Sequence, residues 1–298
     1  MDSSAVKNDH RERKNILFVN DFAKWNILYR VDLMQALEKL GYKVENFGLR
    51  DNFLGFLSFL RKDLSEAYIV SSNLRANLVV LICSTGNGTA IINGFGRYRG
   101  NKLFRGLFLF FSRKSKKKFV FQNYADYRWA RRHFCRVVDW IPGSGGADRR
   151  KGLDDQQVIV VTRESKIGLV WESIQQFCQE NPDKRMVIVG VSTFESKLTD
   201  KVDFSGYVKQ ENLFLDGASF LQPDGYGEGF PQSLADAIMS DLCIYISKSS
   251  YINYGLKRLG FRFVSKTTTF GLLQGDREAR LKLSENAVNN RYLELIVG

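Results

Sequence analysis

The feature that most constrains the fold is an alternation of apolar strands and amphipathic helices that occurs twice along the chain. The first occurrence has a strand at residues 15–21, a helix at 29–41 and a strand at 42–47. The second has a strand at 158–161, a helix at 169–179 and a strand at 186–190. Strands that alternate with helices in this way form parallel sheets. We therefore predict an α/β protein with two such domains.

The two occurrences also divide the 298 residues. We expect a disordered tail at 1–14, a first domain at 15–145, a linker at 146–156 and a second domain at 157–298. The tail is polar and charged and lacks the apolar core of a secretory signal. The cysteines are scattered without paired spacing, which argues against a zinc site or a disulfide framework and favours a reducing cytoplasm. They lie at positions 83, 135, 178 and 243.

Residues 226–238 (YGEGFPQSLADAI) place two acids eight positions apart around the start of a helix. Glu228 precedes Pro231, near which we expect the helix to begin, and Asp236 follows about two helical turns after Glu228, so both carboxylates can face one ligand. Carboxylates accept hydrogen bonds from hydroxyls, and the N–H groups at a helix start attract an anion. A nucleotide sugar meets both. The alternative is an ordinary loop-to-helix junction with solvated acids.

This segment resembles the E-x7-E segment of the family 4 (group 1) retaining glycosyltransferases, whose usual form is close to E-G-x-P-x-S-L-x-E-A-M. The resemblance implies that Glu228, the expected catalytic residue, contacts the donor sugar. It implies that Asp236, one methylene shorter than the usual glutamate, contacts the nucleotide ribose. Other residues of the segment are expected at the donor site, namely Phe230, Pro231, Gln232, Ser233 and Leu234.

Three further segments resemble the bacterial surface-polysaccharide branch of that family, in the same chain order. Residues 92–96 (INGFG) resemble its G-L-G turn, residues 119–123 (FVFQN) its F-Q-N strand end, and residues 141–145 (IPGSG) its I-P-G-S-G-V-D linker. The family has the GT-B fold, in which two Rossmann-like domains with parallel sheets face each other across the active site. The resemblance implies that α/β fold class for this chain, with the hinge within residues 143–156.

The resemblance also implies residues for both sides of the cleft. Arg163 and Lys166 follow the first strand of the second domain, where the family holds the donor diphosphate. Cations are needed there because the leaving nucleoside diphosphate gains negative charge as the glycosidic bond breaks; the alternative is a solvated basic pair. Arg30 matches an R-x-x-L after the first strand. The residues expected on the acceptor side are Asn20, Asp21, Arg30, Gly94 and Gly96.

Positive charge is concentrated in residues 97–151, which contain sixteen Lys and Arg against three Asp, whereas the whole chain has a net charge of +12. An apolar stripe of Phe104, Leu107, Phe108 and Phe111 lies within this region at helical spacing. An aromatic stripe beside basic residues is typical of a helix that lies on an anionic membrane. The expected docking residues are Lys102, Phe104, Arg105, Phe108, Arg113, Lys116, Lys117 and Lys118.

Two alternatives to membrane docking remain at this point. A basic patch also suits nucleic acid, but no nucleic-acid-binding module accompanies it, so we expect no such partner. The phenylalanines could instead pack on the first sheet, since apolar stripes at helical spacing usually face a core. The longest apolar run in the region, residues 103–111, is far shorter than the roughly 20 residues that span a bilayer. We expect a cytoplasmic protein bound peripherally to the inner face of the cell membrane.

Other catalytic classes are poorly supported. With only His10 and His133, a Ser-His-Asp arrangement is not indicated, and no G-x-G-x-x-G stands in the strand-to-helix context of an NAD enzyme. We expect no cofactor and no metal, only a UDP- or GDP-sugar as donor. The resemblance therefore implies a retaining glycosyltransferase that acts on a polyprenyl-diphosphate-linked glycan of bacterial surface polysaccharide. The alternative is a degenerate GT-B protein that scaffolds a partner enzyme.

Overall fold

The computed structural model describes most of the chain. The described residues are 15–52, 56–57, 59–60, 64, 66–134, 138–149, 157–194, 201–209, 212–213, 219–224 and 229–298. The expected tail, most of the expected linker and Glu228 lie outside these ranges.

The first sheet has six parallel strands in the order β2-β1-β3-β4-β5-β6. These strands are β1 (Asn15–Asn20), β2 (Lys43–Gly48), β3 (Tyr68–Ser72), β4 (Gly88–Ile92), β5 (Lys118–Phe121) and β6 (Val138–Trp140). The helices between them are α1 (Ala23–Lys39), α2 (Leu74–Cys83), α3 (Lys102–Lys114) and α4 (Tyr124–His133). The central strands are buried on both faces, as their unbroken apolar sequences predict.

The second sheet has seven strands in the order β12-β13-β11-β10-β7-β8-β9. These are β7 (Gln157–Val161), β8 (Arg185–Val189), β9 (Val202–Gly206), β10 (Ser219–Gln222), β11 (Cys243–Ser247), β12 (Arg262–Ser265) and β13 (Phe270–Gln274). Strands β7 to β11 are parallel to one another. The β12–β13 hairpin is added beside β11, and β13 pairs with β11 in the antiparallel direction. The helices are α5 (Ile167–Glu180), α6 (Gln232–Met239), α7 (Lys248–Asn253), α8 (Leu256–Leu259), α9 (Arg277–Leu281) and α10 (Glu285–Val297).

The last helix departs from the expected domain division. We assigned residues 157–298 to the second domain, but Val288, Tyr292 and Ile296 of α10 are buried in the same core as Leu33 and Leu37 of α1. These α10 side chains recur every four residues and so form one apolar face, which packs on the first domain. The chain therefore crosses between the domains a second time.

Candidate active site

The strand order of the first sheet identifies its ligand-binding edge. The chain leaves β1 in one direction to β2 and returns on the other side at β3, so a crevice opens at the carboxyl ends of β1 and β3. Asn20 ends β1 and Asp21 follows it in this crevice, while Ser71 and Ser72 end β3 and Asn73 follows them. The expected acceptor residues Asn20 and Asp21 therefore lie where the topology alone places a site.

A chain of amides holds this edge together. The Asn73 side-chain amide donates to Asn20 Oδ1 over 3.0 Å, that of Asn20 donates to Asn26 Oδ1 over 2.9 Å, and that of Asn26 donates to Asn46 Oδ1 over 2.8 Å. Asn73 has a φ of +77°, a conformation that non-glycine residues rarely adopt. Such conformations persist where surrounding contacts fix them, and they concentrate at functional sites.

Several polar atoms at the same edge have no partner. Asp21 Oδ1, Ser71 Oγ and Ser72 Oγ are buried and form no hydrogen bond. Buried polar groups are normally satisfied by protein or by water, so three unsatisfied oxygens at the ends of adjacent strands require an explanation. The hydroxyl groups of a sugar could provide the missing partners.

The second sheet has an equivalent crevice between β7 and β10, because β8 and β9 lie on one side of β7 and β10 lies on the other. Arg163 is exposed just after β7, and the half-buried Lys166 directly precedes α5. The Arg163 carbonyl accepts from the N–H groups of Lys166 (2.8 Å) and Ile167 (3.0 Å). Two cations therefore lie at the start of a 14-residue helix, an arrangement that suits an anion.

Tyr207 is a feature of this edge that the sequence interpretation missed. It follows β9 directly, and 87% of its surface is exposed, the largest value among the exposed large apolar residues. The carboxyl ends of β7, β8 and β9 are neighbours, since the Gly190 N–H donates to the Gly206 carbonyl over 2.7 Å and the Thr162 N–H donates to the Val189 carbonyl over 2.9 Å. An aromatic face is thus available on the same edge as Arg163.

A second missed feature lies after β10. The carboxylate of Asp224 accepts hydrogen bonds from the hydroxyls of Ser247 (2.6 Å), Ser249 (2.9 Å) and Ser250 (2.5 Å). Ser247 also caps α7 by accepting from the Ser250 N–H. These bonds fix the end of β10, from which the segment that contains Glu228 begins.

Glu228 lies outside the described residues, but the residue after it is well placed. An ideal Cβ built on Gly229 would lie 1.9 Å from the Asn93 carbonyl oxygen and 3.1 Å from Gln122 Oε1. Asn93 follows β4, and Gln122 follows β5, so the backbone after Glu228 contacts the carboxyl edge of the first sheet. The two ligand-binding edges therefore meet at Gly229.

The remaining residues of the motif mostly serve packing. Phe230 is buried, and its ring centroid is 5.7 Å from that of Tyr254, while Leu234 is fully buried in the same core. Pro231 occupies the N-cap position of α6, and Ser233 in its first turn is half-buried. Gln232 donates to Oδ1 of Asp236 over 3.3 Å and to the Gly145 carbonyl.

Asp236 has a different environment from the one expected. It is fully buried, and its Oδ1 accepts from the Ala147 N–H over 2.9 Å, while its Oδ2 lies 3.2 Å from Arg149 Nε. Arg149 also lies 3.7 Å from Glu285 at the start of α10. The carboxylate thus fastens the connection between the domains to α6, and a ribose could reach it only if these contacts opened.

The remaining acceptor-side candidates are Arg30, which lies on α1, and Gly94 and Gly96, which lie in a turn. Arg30 on α1 is 4% exposed and contacts Tyr292 of α10. Gly94 and Gly96 form the turn after β4, and the Phe95 N–H between them donates to Asp126 over 3.0 Å. The pKa of Asp126 is raised because burial outweighs the lowering effects of the Phe95 hydrogen bond and the Arg99 guanidinium. The buried Asp126 carboxylate therefore fixes the backbone of this turn.

Three expected docking residues are not available to a membrane. Phe108 is fully buried among aromatic rings of the first domain. Lys117 is buried and donates to the carbonyls of Ser84 and Gly86 over 2.8 and 3.1 Å, beyond the carboxyl end of α2, and burial lowers its pKa to about 8. Lys118 donates to the Leu295 carbonyl of α10 over 2.6 Å. These basic side chains satisfy backbone carbonyls at helix ends.

Three of the four residues of the predicted stripe face the core, and only Leu107 is exposed among those four. Phe104 and Phe111 pack with Phe108 against the sheet, and the half-buried Arg105 stacks on Trp129 at 4.2 Å. The exposed apolar side chains of α3 are instead Leu103 (74%), Leu107 (49%) and Phe110 (51%), which we call the outer face of α3. Lys102, Arg113, Lys114 and Lys116 are exposed around it.

No group of three or more His, Cys, Asp or Glu within the described ranges could hold a metal ion. Within those same ranges, no helix has the length and apolar character needed to cross a bilayer.

Solved structures show which fold this is. The chain is similar to Alr3699/HepE from Anabaena in complex with UDP, with a TM-score of 0.64 and 12% identity over 95% of this chain and 99% of that one. The HepE structure with UDP and glucose gives a TM-score of 0.59 and 14% identity over 93% and 89%. The glycosyltransferase SnogD from Streptomyces nogalater has a TM-score of 0.42 and 13% identity, over 96% of this chain and 94% of that one. No protein-family model and no curated protein matches the chain. The shared architecture of two facing, mostly parallel sheets establishes that this chain has the GT-B fold.

Proposed function

We propose that this chain is a glycosyltransferase that moves a hexosyl or N-acetylhexosaminyl group from a nucleotide sugar to a lipid-linked glycan. The observation that carries the proposal is the meeting of two unlike edges at Gly229. The edge of the second sheet has cations at a helix start, and that of the first has unsatisfied hydroxyl and carboxylate oxygens. A phosphorylated donor suits the former, and a polyhydroxylated acceptor suits the latter.

The donor binds, in this proposal, across the carboxyl ends of β7 to β10. Arg163 and Lys166 bind the diphosphate and stabilise the charge that develops on it as the glycosidic bond breaks. Tyr207 offers its exposed ring to the nucleobase. UDP is favoured over GDP as the nucleotide because HepE, which has the same fold, binds UDP and, in a second structure, UDP with glucose.

The acceptor occupies the crevice at β1 and β3, where Asp21 Oδ1 is buried and unsatisfied. Glu228, adjacent to the contact at Gly229, orients the donor sugar between the two edges. The motif resemblance supports a retaining outcome and a polyprenyl-diphosphate-linked acceptor of O-antigen, capsule or exopolysaccharide synthesis. No residue is assigned as a covalent nucleophile.

An acceptor of that kind requires access to a membrane, and we infer that the outer face of α3 provides it at the inner surface of the cell membrane. Leu103, Leu107 and Phe110 lie on one side of the helix, and the Lys114 ammonium is 4.4 Å from the Phe110 ring centroid. Between residues 97 and 134 the sequence contains a single acid, Asp126, which is buried. Apolar insertion and attraction to anionic lipid therefore act on the same surface.

A thermal-shift screen of nucleotide sugars tests the catalytic proposal. A ligand that binds only the folded state raises its apparent stability, so one donor should raise the melting temperature. With that donor, Glu228→Gln should lower turnover at least about tenfold, because a charged acceptor of hydroxyl hydrogen bonds is lost. Unchanged turnover in this variant would remove Glu228 from the site.

One observation favours the second candidate, a scaffold without transferase activity. The Asp236 carboxylate forms an ion pair with Arg149 and accepts a hydrogen bond from the Ala147 N–H, so these contacts occupy the group expected to bind the ribose. The screen separates the two, since a scaffold would respond to no nucleotide at all.

A further inference from the structure

We infer that Arg30 is a binding site for a phosphate or diphosphate group of a substrate. This inference rests on the proposed function for the identity of the substrate, but the anion site itself follows from the environment of one side chain. Arg30 is on α1, about two turns beyond the helix start that follows β1. It has 4% of its surface exposed.

The guanidinium has few partners for a group so deeply buried. Its Nη2 donates to the Tyr292 hydroxyl over 3.2 Å, and its central carbon lies 4.2 Å from the Tyr292 ring centroid. Its Nη1 is buried without any hydrogen bond. Among the described residues, no carboxylate forms an ion pair with it.

The neighbours of Arg30 cannot take up this unused donor. The Tyr292 hydroxyl donates to the Gly143 carbonyl over 3.1 Å and accepts from Gln122 Nε2 over 3.3 Å. Gln122 Nε2 also donates to the Gly143 carbonyl over 3.0 Å. The Tyr292 hydroxyl and the Gly143 carbonyl each already accept two hydrogen bonds, so neither has a lone pair left for Arg30 Nη1.

The position of this cluster indicates what the ligand is. Gln122 Oε1 lies 3.1 Å from the Cβ position of Gly229, so the cluster adjoins the residue after Glu228, where the two edges meet. A buried guanidinium is stable when an anion pairs with it, and its planar fork matches phosphate oxygens. A diphosphate that enters the cleft would supply both the missing acceptor and the missing negative charge.

The test uses inorganic diphosphate as the probe, in a chain that carries Arg163→Ala and Lys166→Ala so that the proposed donor subsite is removed. Diphosphate should still raise the melting temperature of this double variant. Adding Arg30→Met should weaken diphosphate binding at least tenfold, whereas adding Arg262→Met, which removes an exposed arginine from β12, should leave it unchanged. Equal binding with Met or Arg at position 30 would overturn the inference.

Stability separates a binding role from a structural one. Replacing an unpaired buried charge by an apolar side chain of similar length is often neutral or stabilising, so Arg30→Met without ligand should melt at or above the wild-type temperature. A lower melting temperature with diphosphate binding intact would show a purely structural arginine. Arg30→Lys, which keeps the charge and loses the fork, should weaken binding about threefold or more and provides the test if the methionine variant fails to fold.

The source of the phosphate is resolved by the dissociation constant of UDP in Arg30→Met alone. A UDP affinity that stays at the wild-type value assigns the anion to the acceptor, and a loss of UDP affinity assigns it to the donor. Diphosphate binding that depends on Arg30 in a chain that binds no UDP would support the anion site while overturning the proposed function.

Discussion

The ligand-binding edges of the two sheets both lie where the strand order reverses, but they differ in chemistry. At the first edge, amides from Asn20 and Asn73 bind each other and leave oxygens of Asp21 and Ser71 unsatisfied. The second edge instead exposes Arg163 and the ring of Tyr207. A repeated α/β frame thus supports two kinds of recognition, one by directed hydrogen bonds and one by charge and an aromatic surface.

We expect the largest loss of turnover from a substitution at Gly229, where the two edges meet. Gly229→Ala places a methyl group 1.9 Å from the Asn93 carbonyl oxygen, so the backbone after Glu228 must move away from the first sheet. Because misplacement by about 1 Å can cost 100-fold in rate, we expect turnover to fall at least about 100-fold. Steady-state kinetics measures this.

The matched control is Gly106→Ala on the outside of α3, where a Cβ meets nothing within 4 Å. It should retain wild-type turnover and gain up to about 1 kcal/mol of stability from higher helix propensity. Turnover that survives Gly229→Ala would mean that the two edges need not meet there.

Charge at the second edge should give the next largest effect. Hydrogen bonds to charged groups contribute about 1.5–3 kcal/mol, so Arg163→Ala or Lys166→Ala should each weaken UDP binding about 10- to 100-fold. UMP, which lacks the second phosphate, should be affected less. Calorimetric titration of both nucleotides makes the comparison, and an equal loss for UDP and UMP would point to misfolding or to another role.

A smaller effect is expected for the aromatic residue of that edge. Stacking of a base on an aromatic ring is worth about 1–3 kcal/mol, and because Tyr207 provides a single open face we expect Tyr207→Ala to weaken UDP binding roughly fivefold. Tyr207→Phe should restore it. Inorganic diphosphate, which has no base, should bind both variants as it binds the wild type. Weaker diphosphate binding would show that Tyr207 acts on the phosphates or on the loop instead.

The outer face of α3 should have no effect on donor binding. Leu107→Ser with Phe110→Ser should reduce sedimentation with anionic vesicles, while Leu169→Ser, which alters an exposed leucine on α5, should not. Binding of the wild type should fall as salt reduces the Debye length below about 10 Å, and neutral vesicles should bind weakly. Comparable binding to neutral and anionic vesicles would exclude electrostatic docking.

The sequence predicted features that depend on local periodicity. Buried strands and amphipathic helices identified both domains, and the GT-B fold expected from the motifs is confirmed. The side of α3 that faces the core was not predictable, because its apolar residues occupy two adjacent faces, one with Phe104, Phe108 and Phe111 and one with Leu103, Leu107 and Phe110. The packing of Phe108 against Phe95 and Phe119 identifies the first of these faces as the buried one.

Contacts between distant positions were also beyond the sequence. The buried Lys117 ammonium donates hydrogen bonds to carbonyls more than 30 positions earlier in the chain. Asp236 is paired with Arg149, 87 positions away in the chain, and no local pattern indicates that pair. Tyr207 carries only a weak signal, an aromatic residue just after a strand, and its exposure emerges from the fold.

Hydrogen exchange with and without UDP tests the central claim, that the two edges divide recognition between them. UDP should protect residues 162–168, 190–192 and 206–208 of the second edge, because bound phosphates and base cover these backbone groups. Residues 20–26 and 71–77 of the first edge should exchange at the same rate in both conditions. Protection at the first edge with none at the second would show that UDP does not bind at the carboxyl ends of β7 to β9.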